Sequence, residues 1–468
     1  MSRQGALVKN TAILSLGTVV PKLVNIVALP ILTGYLSKAD YGTYDLVVSL
    51  VSLLLPVATL QLQASAFRFL IEARSDEPRQ KGIVISITVA SSVVSVLVLT
   101  ILFFLLTDVD VYSRILVCAY YLLDILVITF RQVARGLSRN GVYSISVIVN
   151  SFSEGLAIVG FVMLLGYGLK GALLASLIGQ AVSLAVLFFG ARIYQLLDVS
   201  CMSLSLTREL VAYSWPLIPN SLSSWIISTS DRLVLTLMIG IEASAIYAAA
   251  SKIPHILNIF QTAFNLAWQE NASLSKSNSD RDAYYSAMFD GVFCLLAGGL
   301  ALLIAASPIL FHLLIRGDYE ESYAPMNILF FGAFAAAMSS FLGGIYIAHM
   351  KTREIGATTT VAAVCNLAVK MIFVPTAGIC AASIAYAASF SFLALYRAFR
   401  ISLFQPIEFN RGKIAITCLL LIGMTVAGAS RVLYLEVANA LLGAVMFIVL
   451  NRTLIQSCVR RLHAGRRA

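Results

Sequence analysis

Residues Tyr213–Leu237 read YSWPLIPNSLSSWIISTSDRLVLTL. The stretch is apolar over a length that suits a membrane crossing. Pro216 and Pro219 break it, and an acid and a base, Asp231 and Arg232, sit near its end. A charge inside a bilayer span costs at least ~2.5 kcal/mol on insertion scales, so it faces a partner or a wet cavity. Asn220, Ser224, Ser228 and Asp231 follow one another at spacings of four, four and three, which puts them on one face of a helix. A greasy helix with a polar inner stripe predicts a passage through a membrane.

Composition points the same way. The 468 residues are 59% hydrophobic and 12% charged, with mean hydropathy +0.88, whereas a soluble domain carries about 25% charged residues. These values predict an all-α polytopic membrane protein. With roughly 20 apolar residues per span, crossings are predicted over 11–36, 44–70, 83–106, 113–131, 142–168, 170–192 and 210–239. Seven more are predicted over 243–270, 285–315, 324–348, 356–375, 377–398, 413–433 and 436–456, fourteen in all. The longest connections, near 71–82, 193–209 and 271–284, leave no room for a soluble domain.

The net charge of +10 reports topology rather than nucleic-acid binding. With both termini inside, 24 Lys and Arg fall at cytoplasmic ends, from Arg3 and Lys9 to the five between Arg452 and Arg467. Outer ends hold five: Lys38, Arg114, Lys170, Arg316 and Arg431. That asymmetry places both termini in the cytoplasm. Lys22, Arg232, Lys252 and Lys370 remain at membrane depth. The N-terminal MSRQGALVKN has no short apolar core followed by a small-residue cleavage site, so the first span is expected to be retained. Seven cysteines show no CxxC pairing and four isolated histidines show no metal spacing, so neither a disulfide framework nor a metal site is expected.

Sliding the chain by 203 residues lays LVKN from Leu7 on LVAY from Leu210, Thr18 on Ser221, Asn25 on Ser228, Ser52 on His255 and Thr59 on Thr262. The agreement of polar positions inside apolar helices carries more weight than the weak identity. It predicts a parallel repeat of two six-helix bundles, 1–202 and 203–400, followed by two extra helices and a basic tail over 401–468. In the eighth span Tyr247, Ser251, His255, Asn258, Thr262, Asn265 and Gln269 recur at helical spacing as one face. Asp45, Ser49, Ser52, Pro56, Thr59 and Gln63 do the same in the second span, and Ser15, Thr18, Lys22 and Asn25 in the first. Such stripes suit a solvated lumen; interhelical hydrogen bonding, at about 0.6 kcal/mol per contact, is the other reading.

The Tyr213–Leu237 stretch and the adjacent IYAAASKIPHILNIFQTAFNLAWQE (246–270) resemble the second-half signature of bacterial polysaccharide exporters. These are lipid-linked oligosaccharide flippases of the multidrug/oligosaccharidyl-lipid/polysaccharide (MOP) superfamily. The opening KNTAILSLGTVVPKLVNIVALPILTGYLSKADYGTYDLVVSL (9–50) is similar to the same family's first hairpin, including its turn at Asp40–Tyr44. The resemblance implies two six-helix bundles around a central cavity, as in multidrug exporters of the superfamily, with two C-terminal helices besides. It also implies a job in the bacterial inner membrane. An undecaprenyl-diphosphate-linked glycan would be turned over from the cytoplasmic to the outer leaflet for O-antigen, capsule or exopolysaccharide, beside a polymerase. Undecaprenyl lipid and glycan would then be the partners, with membrane lipid around them and no nucleic acid.

A lipid diphosphate and its glycan cannot cross hydrocarbon unaided, so a carrier needs cations at depth and a lumen rich in hydroxyls and amides. Lys22 and Lys252, one near mid-membrane in each half, are the expected contacts for diphosphate or acidic sugar. Arg232, Asn25, His255, Asn258 and Asn265 complete the candidate substrate set. A structural pairing of either lysine with Asp124 or Glu154 is the bland alternative. Asp231 and Arg232 point about 100° apart and so need separate partners; a gating or structural ion pair with an acid of the first half suits Arg232. Asp124 and Glu154 are the candidate carboxylates for coupling to a proton or sodium gradient, since burial favours proton exchange. No cofactor and no catalytic residue is expected. An ion-coupled multidrug efflux pump is the runner-up. A membrane polymerase or ligase fits less well, because the outer connections near 107–112, 166–170, 316–323 and 375–378 are short and no paired-carboxylate or nucleophile–base set occurs.

Overall fold

A computed structural model describes residues 3–105, 110–258, 261, 264–265, 268, 281–349 and 351–456. The side chains of 3–16, 18, 102, 105 and 352 are outside that description. Ser15, Thr18, Thr262 and Gln269 of the sequence-predicted stripes therefore lie beyond the described side chains. Every regular element among the described residues is helical, as expected where backbone polar groups must be satisfied within the segment. Among the described residues, ten helices are long and apolar enough to cross a membrane, including 38–58, 77–101, 111–136, 281–314 and 433–450. One of the ten, Arg353–Ile401, is a hairpin rather than a rod. Gly378 has φ +61° and ψ −143°, a conformation open to glycine, and divides the helix into arms 352–377 and 379–401. Asn366 donates to the Ala385 carbonyl and the Ser389 hydroxyl, both at 3.1 Å, so the arms lie side by side.

The chain divides into two compact units, Met1–Leu233 and Val234–Ala468. In the first, α1 (Arg3–Tyr35), α2 (Lys38–Ala58), α3 (Leu62–Glu72) and α4 (Glu77–Leu105) are followed by α5 (Val111–Gly136), α6 (Asn140–Ile158) and α7 (Gly168–Gly190). Caps start these helices where polar residues meet apolar runs: Ser37 accepts from the Asp40 N–H, and Asp110 from the Ser113 N–H. Val47, Val51, Leu99, Val117, Tyr121 and Leu173 form one core cluster. Leu62, Phe69, Ile83, Val127, Phe130, Leu187 and Leu210 form another. Segment 203–233, which the sequence repeat assigns to the second bundle, packs within this first unit.

Two expected single helices are broken. The span predicted over 44–70 stops at Ala58 and restarts at Leu62, with Leu60 and Gln61 left-handed at φ 48° and 55°. Pro56 removes an N–H three residues upstream, and Thr59 turns both its N–H and its hydroxyl onto the Leu55 carbonyl. The span predicted over 210–239 resolves into α8 (Leu204–Ser214), a 3-10 turn holding Pro216, α9 (Ile218–Thr229) and α10 (Asp231–Met238).

In the second unit α11 (Ile241–Lys252) gives way to a turn at 253–255 containing Pro254. The eighth-span stripe is therefore not one uninterrupted helix face. Beyond it come α12 (Arg281–Leu314), α13 (Tyr323–Ala348), the hairpin α14 (Thr352–Ile401), α15 (Arg411–Ala429) and α16 (Leu433–Leu450). The central helix is α13, most of whose residues are buried. Trp268 stacks on Phe341 with centroids 4.6 Å apart and donates to its carbonyl, tying the end of the eighth span to α13.

Candidate functional site

The broken helices of the first unit lie against each other. Six contacts join α2, α3 and the break between them to α8, α9 and α10. Arg232 Nε meets Asp45 Oδ2 at 3.2 Å. The Trp225 indole N–H lies 3.1 Å from the Ser49 carbonyl and 2.9 Å from the Ser52 hydroxyl. Gln61 donates to Ser221 at 2.8 Å, Ser65 to the Leu210 carbonyl at 2.7 Å, and Phe69 meets Tyr213 edge-on at 5.7 Å. The polar stripe of the second span is thus spent largely on the seventh. Gln61 reaches Ser221 from a left-handed residue, so the backbone break positions that contact.

Arg232 and Asp45 are both 7% exposed. Exchanging water for an ion pair at that burial holds only when both partners are present, because either charge alone would be stranded in low dielectric. Asp231, next in the chain, is fully buried at the start of α10. The sequence reading placed Arg232 at the substrate; in the structure its Nε is engaged by Asp45, a stripe residue of α2.

Two carboxyls lie in further hydrogen-bonded sets inside the same unit. Glu154 Oε1 accepts from Ser176 at 2.7 Å and from Tyr44 at 3.2 Å, and Tyr44 and Ser176 are 2.9 Å apart. Asp124 Oδ1 accepts from Gln180 at 2.7 Å, and Gln180 Oε1 accepts from Asn150 at 3.3 Å. Arg131 donates to Ser183 at 3.0 Å. Three hydrogen-bonded sets thereby link α2, α5, α6 and α7, two of them holding an acid. Gln180, Ser176 and Tyr44 carried no signal as site residues, since lone hydroxyls and amides in apolar helices are commonplace.

The surface of the first unit sorts by polarity. Beyond the charged first turn of α4, the exposed positions on α4 and α6 are mostly apolar, among them Val93, Val96, Leu97, Ile101, Ile145, Phe152 and Leu156, and the exposed Thr100 turns its hydroxyl onto the Val96 carbonyl. On α1, Leu23 and Val27 share one exposed face, while the half-buried Lys22 and exposed Asn25 share another. On α9, Asn220 and Ser224 are exposed one turn apart. The α9 stripe is partly self-satisfied, since Ser224 and Ser228 donate to carbonyls four residues back at 2.9 and 2.7 Å.

In the second unit Lys252 is half-buried at the end of α11. His255 Nδ1 lies 2.5 Å from the Ser251 carbonyl, and its ring is 6.5 Å from Tyr386. Asn258 is half-buried one turn on. Asn265 donates to Ser340 at 2.6 Å and accepts from Gln261 at 2.7 Å. These members of the eighth-span stripe meet other protein groups of their own unit, the interhelical alternative to a solvated face. Lys370, the weaker lumen candidate, is fully buried.

The family described as polysaccharide biosynthesis protein matches residues 7–268. A search of curated protein sequences finds no match. Among solved structures, the lipid II flippase MurJ in an inward closed conformation is 15% identical, with TM-score 0.70 over 95% of this chain and 99% of that one. An inward-facing multidrug resistance MATE transporter of the MOP superfamily is 14% identical, with TM-score 0.60 over 82% and 98%. A MOP superfamily transporter from Pyrococcus furiosus, described as having a binding pocket of reverse polarity, is 14% identical with TM-score 0.59 over 85% and 95%. The fold is that of MOP-superfamily transporters.

Proposed function

From a chain that belongs to the polysaccharide biosynthesis protein family and shares the MOP transporter fold, we propose a flippase. It carries an undecaprenyl-diphosphate-linked oligosaccharide across the bacterial inner membrane by alternating access, for O-antigen, capsule or exopolysaccharide, next to a polymerase. The single observation that carries this reading is the polar exposure on α1 and α9. Lipid cannot solvate an exposed amide at membrane depth, so Asn25 and Asn220 face water or substrate. The hydroxyl-rich glycan supplies partners of that kind.

Lys22, on the face of α1 that bears Asn25, attracts the diphosphate, and Lys252 is a second candidate cation. His255, Asn258 and Asn265 line the glycan path when the eighth span moves. Bundles 1–202 and 203–400, with 401–468 outside them, alternate access by rocking. Asp45 and Arg232 act as a gate pair, with Asp231 beside them. Asp124 and Glu154 exchange a proton or sodium ion during the cycle, a feature that an ion-coupled drug exporter would share. The basic ends keep both termini in the cytoplasm.

Replacing Lys22 and Lys252 together with Ala tests the reading in a strain whose surface polysaccharide depends on this protein. Export is expected to fall at least tenfold while the protein stays in the membrane fraction at its normal level. Undiminished surface polysaccharide would remove the cations from the mechanism.

A further inference from the structure

The end of the second unit where α13 hands over to α14 collects cations around a single carboxylate. Lys351 and Arg400 approach Glu354 at 3.4 and 3.7 Å, and Arg353 is exposed beside them. Beneath them lies Arg397, 5% exposed. Its partners are neutral: the Ser339 carbonyl and hydroxyl at 3.0 and 3.1 Å, and the Thr359 hydroxyl at 3.0 Å. Arg397 Nε has no hydrogen-bond partner, and neither does the hydroxyl of Tyr346, itself 1% exposed. The patch is continuous. Tyr346 packs on Phe404 at 5.5 Å and Lys351 Nζ sits 4.0 Å over the same ring. Gly343 leaves space along Arg397, where a Cβ would come within 3.3 Å of its NH1.

Four cations against one carboxylate, one of them buried, is an unbalanced arrangement. A buried guanidinium without a counter-charge is unfavourable unless an anion reaches it. The surroundings say what kind. Leu395 and Phe399 on the 379–401 arm, and Leu403 in the turn just past it, are all more than 60% exposed and form an apolar strip beside Arg400. We infer that this end of the second unit binds the phosphate of an anionic membrane phospholipid, with Lys351, Arg353, Arg397 and Arg400 on the headgroup and that strip along the acyl chain. A basic pocket between helix ends at the membrane surface is the chemistry such headgroups select. The positive-inside pattern assigns this end to the cytoplasmic leaflet. The site is separate from the residues given to the transported lipid, so its failure would leave the flippase reading standing.

The test is thermal unfolding of the full chain in neutral detergent with added phosphatidylglycerol, phosphatidylcholine or inorganic phosphate. A ligand bound only by the folded state raises the midpoint. Phosphatidylglycerol is expected to raise it by about 2–4 °C, and phosphatidylcholine and inorganic phosphate to leave it unchanged. K351Q/R400Q should lose the rise, while R79Q/K81Q, which removes two cations from the first unit, should keep it. Arg397→Gln should lose it as well; if that variant does not fold, the surface pair decides. An equal rise with inorganic phosphate would make this a soluble-anion site and overturn the lipid assignment. A rise retained in K351Q/R400Q, or lost equally in R79Q/K81Q, would reduce it to diffuse surface charge.

Discussion

Removing Arg232 alone should cost far more than removing the whole ion pair. Its guanidinium and the Asp45 carboxylate are 8% and 9% exposed as side chains, so truncation to Ala leaves an aspartate with little access to water. Breaking a buried pair from one side costs about 3–5 kcal/mol, whereas apolar replacement of both partners at similar volume is neutral or stabilising by about 1–4 kcal/mol. R232A and D45A should each lose stability in that range, and D45L/R232M should recover nearly all of it. The coupling in a double-mutant cycle then exceeds about 2 kcal/mol. Denaturation by SDS titration in mixed micelles, followed by tryptophan fluorescence, reads it, because Trp225 donates to Ser49 and Ser52 of the same helix that carries Asp45. If the single variants match the parent, or if the double variant loses the sum of the two, the charges do not depend on each other and the account of the α2–α10 contact is wrong. Export by the stable double variant is the functional arm. A gate pair predicts altered export at normal protein level, and parental export would leave the pair purely structural.

Trp225→Phe keeps the ring and removes the indole donor, so it should cost about 1–3 kcal/mol through the stranded acceptors and shape change, read in the same titration. Glu154→Gln keeps an acceptor for Ser176 and Tyr44. It should leave the melting midpoint within about 2 °C but abolish dependence of export on the ion gradient; gradient-dependent export by E154Q would exclude the coupling role. Gly378→Ala forces a Cβ into φ +61°, ψ −143° and should destabilise by about 1–3 kcal/mol. The loss should show as a lower melting midpoint, while Gly423→Ala, with open space around its Cβ, should not lower it.

Much of the architecture was legible because membrane helices announce themselves locally. Each span must bury its own backbone polar groups and show lipid an apolar surface, so length and composition suffice to find it. The ends of α4, α5, α7 and α12 through α16 fall within about six residues of the predicted spans for that reason, whereas α6 stops at Ile158 and a π-helical stretch, Val159–Leu164, carries the chain on. Helix breaks were harder. Pro216 and Pro219 signalled breaks, but a proline is also tolerated in a continuous membrane helix when neighbours satisfy the freed carbonyl. Left-handed Leu60 and Gln61 had no such signal, since neither residue type favours that region. Their conformation depends on the Ser221 contact and the Thr59 back-bonding, which a linear reading cannot see.

The same division holds for the site. Helical spacing alone grouped the polar residues of spans one, two, seven and eight into stripes and showed that Asp231 and Arg232 need separate partners. Composition gave the membrane class, and the resemblance of segments 9–50, 213–237 and 246–270 pointed to the family. Only the tertiary structure decided that the Arg232 partner is Asp45, that Trp225 and Gln61 lie along the same seam, and that Asp124 and Glu154 are held by Gln180 and by Ser176 with Tyr44. Periodicity sets the direction of a side chain about its own helix axis. Its partner is set by which helix lies opposite and at what height, and that depends on packing across the whole bundle.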